Sequence, residues 1–202
     1  MGVIDFVAEE YTKIALRLHG VWRAYDRVII LEDARATGPD LSAALVAASR
    51  THRVDLLILA HGKPGQILGY RGKPVGAETW EPLLAAYREN RRLLRLRAVW
   101  QMNCYGVSLT HMWRELGAIS VNGSIGVNWL PEPSLSLFLR AWLRGETFSR
   151  AVVHSSSRAE RLWSKLYRPG VESTPHPRIR SSRQVVVGEE CAWGDEEAAR
   201  AE

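Results

Sequence analysis

LRAVWQMNCYG, residues 96–106, is largely apolar from Leu96 to Met102 and then ends on one of the two cysteines in the chain. A run of this kind, followed by a glycine, reads as a strand covered on both faces, as in a parallel sheet with helices above and below. VDLLILAHG, residues 54–62, finishes in the same manner, on His61 followed by Gly62. How these two endings relate decides the reading of the whole chain.

Outward from them, strands alternate with helices. Ile4, Val7, Tyr11, Ile14 and Leu18 recur at helical spacing and predict an amphipathic helix over 4–19 that Gly20 stops. RVIIL (27–31) reads as a strand buried on both faces. Pro39 and Asp40 open an alanine-rich helix that runs to Ser49. After the strand at 54–60 comes a glycine-rich loop, 63–76, with room for a small hairpin. A helix follows over 78–92, then the strand 96–102, a helix over 108–116 and a fourth strand over 118–123. Pro131 and Pro133 mark a loop before helices over 134–144 and 148–166. The expected fold is therefore α/β, a mostly parallel sheet flanked by helices. One domain is expected over 1–167, with its core in 26–166. Beyond it, 168–202 reads as a C-terminal arm, partly disordered, with one edge strand at Val185–Val187 and an acidic tip.

Bulk composition excludes several classes. A length of 202 residues suits one domain with a sizeable core, and 46% apolar with 24% charged residues is ordinary for a globular protein. No apolar run approaches the ~20 residues of a membrane span, and the start lacks a secretion signal, so no membrane partner and a cytoplasmic location are expected. Two distant cysteines imply free thiols rather than a disulfide framework. The net charge of +5 is mild. Arg88, Arg91, Arg92 and Arg95 fall at i, i+3, i+4 and i+7 and could offer phosphates a basic face, but no aromatic residues are interleaved to stack on bases, so nucleic acid is a disfavoured partner. The histidines and cysteines show no metal-ligand spacing, and no metal or cofactor is expected.

In open α/β sheets ligands bind beyond the carboxyl ends of the strands. A thiol there becomes a nucleophile when a base is near, and histidine is the usual partner. His61 and Cys104 thus form a workable pair. The bland alternative is a small buried cysteine beside an unrelated histidine.

VDLLILAHGKPG followed by VWQMNCYG resembles the caspase–legumain–gingipain group of cysteine peptidases, in which successive strands end in His-Gly and in the catalytic cysteine. ELGAISVNGSIG (115–126) and WLRGETFSRAV (142–152) are similar to the bacterial branch that includes the CHAT domains, and the resemblance spans residues 26–155. Two features depart from it: Met102-Asn103 precedes the cysteine where many relatives carry a small residue, and Cys104-Tyr105-Gly106 has the caspase rather than the CHAT spacing. The resemblance implies a caspase-like (hemoglobinase-like) fold and cysteine endopeptidase activity on a protein or peptide substrate; the paucity of accessory sequence adds the expectation of an activating partner protein. It implies Cys104 as nucleophile, His61 as the group that protonates the leaving amine, and the Gly62 and Cys104 N–H groups as oxyanion donors. It also directs attention to Glu32 and Asp33, after the first core strand, as an acidic pocket for Arg or Lys, and to Asn128 and Trp129 as a second pocket wall. Glu32 or Asp33 could equally cap the next helix, and Trp129 could be ordinary packing. A catalytically degenerate domain that only binds a partner, and a basic nucleic-acid-binding module, stand as alternatives.

Overall fold

The computed structural model describes residues 3–129, 131–167 and 176–195, with side chains from Glu10 onward. The helices are α1 (Val3–Leu18), α2 (Val21–Ala24), α3 (Gly38–Ser49), α4 (Ala77–Glu89), α5 (Thr110–Glu115), α6 (Ser134–Trp142), α7 (Phe148–Leu166) and α8 (Pro177–Ser182). The strands are β1 (Val54–Ile58), β2 (His61–Lys63), β3 (Gln66–Leu68), β4 (Pro74–Val75), β5 (Leu96–Gln101), β6 (Ser120–Ser124) and β7 (Gln184–Gly188). They form a four-stranded sheet in the order β1-β5-β6-β7 and a separate three-stranded sheet, β2-β3-β4. In the larger sheet β1, β5 and β6 are parallel and β7 joins antiparallel, so the chain is α/β with a mostly parallel sheet flanked by helices. Among the described residues no helix is long and apolar enough to cross a membrane.

β5 is the spine. All six of its residues are buried, which a strand achieves only between two helical layers. Val99 packs with Trp80, Leu83, Trp113 and Leu116 from α4, α5 and the turn after α5. On the other face Ala98 and Trp100 pack with Phe138, Trp142 and Phe148 from α6 and α7. Trp100 stacks on Phe138 at 4.6 Å between ring centroids, and Trp80 meets Trp113 edge-on at 5.1 Å. Each such aromatic contact adds ~1 kcal/mol to the area it buries.

The observed elements depart from the sequence reading in four places. RVIIL does not form a strand: Arg27–Leu31 has no ladder partner among the described residues, and Ile29 is 36% exposed. β1 is consequently an edge strand, and four of its five residues are only half-buried. The composition of a covered strand is present, but the sheet does not reach it. Second, α1 forms where expected, yet Tyr11, Ile14 and Leu18 face outward while Ala15 is buried and Leu16 packs against the core. Third, α4 stops at Glu89, where Asn90 turns extended, so Arg91, Arg92 and Arg95 leave the helix and the basic stripe does not assemble. Arg88 instead pairs with Glu115 at 3.4 Å, and Arg91 lies 4.9 Å over the Tyr87 ring. Fourth, the expected edge strand at 185–187 is β7, paired over five positions with β6, so the sheet itself extends past residue 167. The expectation of a disordered tip falls on 196–202, outside the described residues.

Candidate active site

β1 and β5 run side by side with Ile58 opposite Gln101, so the chain leaves both strands at the same edge of the sheet. The Met102 N–H donates to Ile58 O at 2.8 Å and carries the pairing one residue beyond β5. The two quoted endings are therefore neighbours. His61 opens β2 and is exposed, and Cys104 is half-buried in the turn after β5. Both line one cavity of about 1700 Å³ that extends along the free edge of β1.

Gly62 makes the contact between the two endings. A Cβ built there would overlap the Cys104 carbonyl oxygen and lie 3.0 Å from Asn103 Nδ2. Only a residue without a side chain lets the hairpin strand lie against the cysteine turn this closely.

The turn itself is strained and firmly held. Tyr105, directly after the cysteine, has φ 56° and ψ 27°, a left-handed conformation that costs a non-glycine residue ~1–2 kcal/mol. Its N–H donates to Gly126 O at 2.8 Å. Gly106 then presses onto β6, where a Cβ on Gly123 would overlap the Gly106 main chain. The surrounding structure over-determines the strained residue, the condition under which such strain persists.

Two buried amides fasten this end of the sheet. Gln101 N donates to Asn122 Oδ1 (2.9 Å), Asn122 Nδ2 donates to Gln101 O (3.1 Å), and Gln101 Nε2 donates to Asn122 O (2.7 Å) and to Gly106 O (3.3 Å). Trp113 Nε1 completes Gln101 Oε1 at 3.1 Å. Asn103 is also fully buried, and its Nδ2 donates to the Cys104 carbonyl at 3.2 Å. Its Oδ1 has no partner among the described residues. Sequence reasoning missed Gln101 and Asn122 because single polar residues inside strands carry no periodic signal, and it noted Asn103 only as a departure from the relatives.

The other expected site residues divide. Glu32 and Asp33 line the same cavity as His61 and Cys104. Lys13 Nζ, itself 2.5 Å from Glu10, already pairs with Glu32 Oε2 at 3.0 Å. Asp33, exposed and at φ 49°, opens a single 3-10 turn, Asp33–Arg35. Asn128 also lines the cavity, and its Nδ2 donates to Met102 O at 3.1 Å. Trp129 turns away from it: 44% exposed, it lies beneath the Arg178 guanidinium at 4.6 Å. Among the described residues no three His, Cys, Asp or Glu side chains gather as a metal ion would require.

The far end of β1 and β5 is built differently. Arg97 donates from Nε to Asp55 Oδ1 (2.9 Å) and from Nη2 to Oδ2 (2.6 Å), and both side chains are almost fully buried. Tyr25 donates to Asp55 Oδ2 at 2.6 Å and accepts from Trp142 Nε1 at 2.9 Å. Burial, then the Asp55 charge, pushes the Tyr25 phenol well above its ordinary range. Arg97 also donates to Ala192 O at 3.1 Å, beside Cys191, whose thiol burial and then Asp55 push up to about 12.

No protein-family model matches this chain, and no curated protein matches it.

Proposed function

We propose that this chain is a caspase-like cysteine endopeptidase with Cys104 as nucleophile and His61 as its acid–base partner. The observation that carries the reading is the backbone contact of Gly62 with Cys104, which sets a histidine and a half-exposed thiol at adjacent strand ends on one cavity. The Cys104 thiolate attacks the scissile carbonyl carbon, and the carbonyl π pair moves onto oxygen. The Cys104 N–H, which has no acceptor among the described residues, is a donor for that oxyanion. In a hairpin closed by the Lys63/Gln66 pair, bonded and non-bonded pairs alternate, which turns the Gly62 N–H away from β3 and leaves it as the second donor. Each donor fixed on developing charge is worth roughly 3–4 kcal/mol. Collapse of the intermediate breaks the C–N bond, His61 gives its proton to the leaving amine, and water then hydrolyses the thioester to free the thiol and a carboxylate.

For the residue before the cut, Asp33 is the better-placed acid. Glu32 is already engaged by Lys13, so a preference for Arg or Lys rests on Asp33, with Asn128 lining the same cavity.

The test is iodoacetamide labelling at neutral pH, in the parent and in His61→Ala, with peptide-library turnover in the parent and in Cys104→Ala. Fast labelling that depends on His61, together with turnover lost in Cys104→Ala, is the expected result. Turnover that survives Cys104→Ala overturns the reading. A non-catalytic interaction module is the second reading, favoured by the outward row of Tyr11, Ile14, Leu18 and Trp22. It predicts a Cys104 that labels no faster than an ordinary thiol.

A further inference from the structure

The two halves of the site belong to different sheets. His61 begins the β2–β3 hairpin, Cys104 follows β5, and no ladder joins the two. Catalytic geometry has to be held to within roughly 0.5 Å, so something other than strand pairing must keep the hairpin in register with the turn. Gly62 sets the closest approach, but a steric stop does not prevent the hairpin from sliding or lifting away.

Ser108 supplies a direct tie. The Gly65 N–H, at the tip of the hairpin, donates to Ser108 Oγ at 2.8 Å. Ser108 Oγ donates in turn to the carbonyl oxygen of Tyr105 at 2.6 Å, the strained residue next to Cys104. The roles are unambiguous, because an amide N–H only donates and a carbonyl only accepts. The hydroxyl's single proton is committed to Tyr105 and a lone pair to Gly65. Gly65 has φ 76°, which a residue with a side chain seldom adopts, and nothing lies within 4 Å of where its Cβ would be. Its left-handed turn aims the N–H at Ser108 without any packing demand for glycine.

We infer that Ser108 is a positioning residue of this site, a hydroxyl bridge that sets His61 against Cys104 by tying the tip of the hairpin to the cysteine turn. The inference rests on the peptidase reading for its purpose. Ser108 itself is exposed and touches no reacting atom.

The experiment is the pH profile of Cys104 alkylation by iodoacetamide, followed by mass spectrometry in the parent, His61→Ala, Ser108→Ala and Ser108→Thr, with stability measured alongside by urea denaturation. Replacing His61 of the parent by alanine is expected to slow neutral-pH labelling. Ser108→Ala is expected to slow neutral-pH labelling about fivefold, the weight of one ordinary hydrogen bond, and to move the midpoint toward that of His61→Ala. Ser108→Thr, which keeps the hydroxyl, is expected to restore the parent profile. A purely structural serine would change urea stability and leave the midpoint where it was. If labelling depends on His61 but Ser108→Ala keeps the parent midpoint, the bridge is overturned and the peptidase reading stands. If labelling is indifferent to His61, both fall. Amide hydrogen exchange in the parent tests the bridge without requiring any variant to fold: protection of the Gly65 N–H is expected, and exchange at the rate of an open loop overturns the bridge.

Discussion

The two ends of the β1/β5 pair each have a tyrosine and a cysteine close by, and they have opposite characters. At the amino end Asp55, Arg97, Tyr25 and Trp142 form a closed network in which each charge is matched, and the nearby cysteine, Cys191, is sealed in as a neutral thiol. At the carboxyl end a half-exposed thiol follows a buried asparagine whose Oδ1 has no partner among the described residues, and it precedes a tyrosine in a left-handed conformation. Consistency among local preferences marks the part that holds the fold, and local violations cluster where chemistry is done. A single sheet thus keeps a stabilising end apart from the end proposed to carry the chemistry.

Four measurements put that contrast to the test. Asp55→Ala removes one partner of a buried ion pair and leaves Arg97 uncompensated, so chemical denaturation is expected to show a loss of about 3–5 kcal/mol, with Cys104 labelling in the folded fraction unchanged. A loss below about 1 kcal/mol, the scale of a surface pair, would mean that the amino end is not the stabilising one. Gly123→Ala inserts a Cβ into the Gly106 main chain and is expected to cost about 1–3 kcal/mol while also slowing Cys104 labelling, because the displaced turn carries the thiol. Destabilisation with undiminished labelling would separate the turn from the strand beneath it. Hydrogen exchange should find the amides of Val28–Leu31, which lack ladder partners, far less protected than those of Val99–Gln101. Equal protection would show that in solution the segment pairs with the edge of β1. The smallest effect is expected at alkaline pH. The folded Cys191 thiol titrates above its ordinary value of 9.0, so between there and about 12 the unfolded chain holds fewer protons than the folded one, and stability falls as pH rises. Cys191→Ala should flatten the decline that begins near pH 9 and leave the one that Tyr25 adds above 10.

Much of the sheet was legible in the sequence, for reasons that also explain the failures. The strands at 54–60, 96–102 and 118–123 announced themselves because both of their faces meet helices, and 185–187 because β-branched residues suit an edge. Val28–Leu31 has the same composition, but composition reports suitability for a covered strand, not whether a neighbour is within hydrogen-bonding reach. The stripe on α1 misled in another way: Tyr11, Ile14 and Leu18 share a helical face, yet the neighbouring face, with Ala15 and Leu16, is the one turned to the core. At the site, His61 and Cys104 were visible as strand endings, and Gly62 as the glycine that follows. The counter-charge on Glu32 was not, because Lys13 lies far before it in the chain, on another element. The Gln101–Asn122 lock was equally hidden, since its meaning lies in a pairing register that one strand alone does not disclose.

The antiparallel β7 has a consequence for the solution behaviour of shortened chains. It covers β6 along Ser120–Ser124, and Ser181 and Ser182 of α8 hold the loop after β6 through hydrogen bonds with Val127 and Trp129. A chain ending at residue 167 would present β6, buried at every position, as a bare row of main-chain donors and acceptors. Such an edge recruits strands from other molecules. β7 and α8 therefore act as the molecule's guard against aggregation, and removing them to simplify expression would yield insoluble protein rather than an uncovered site.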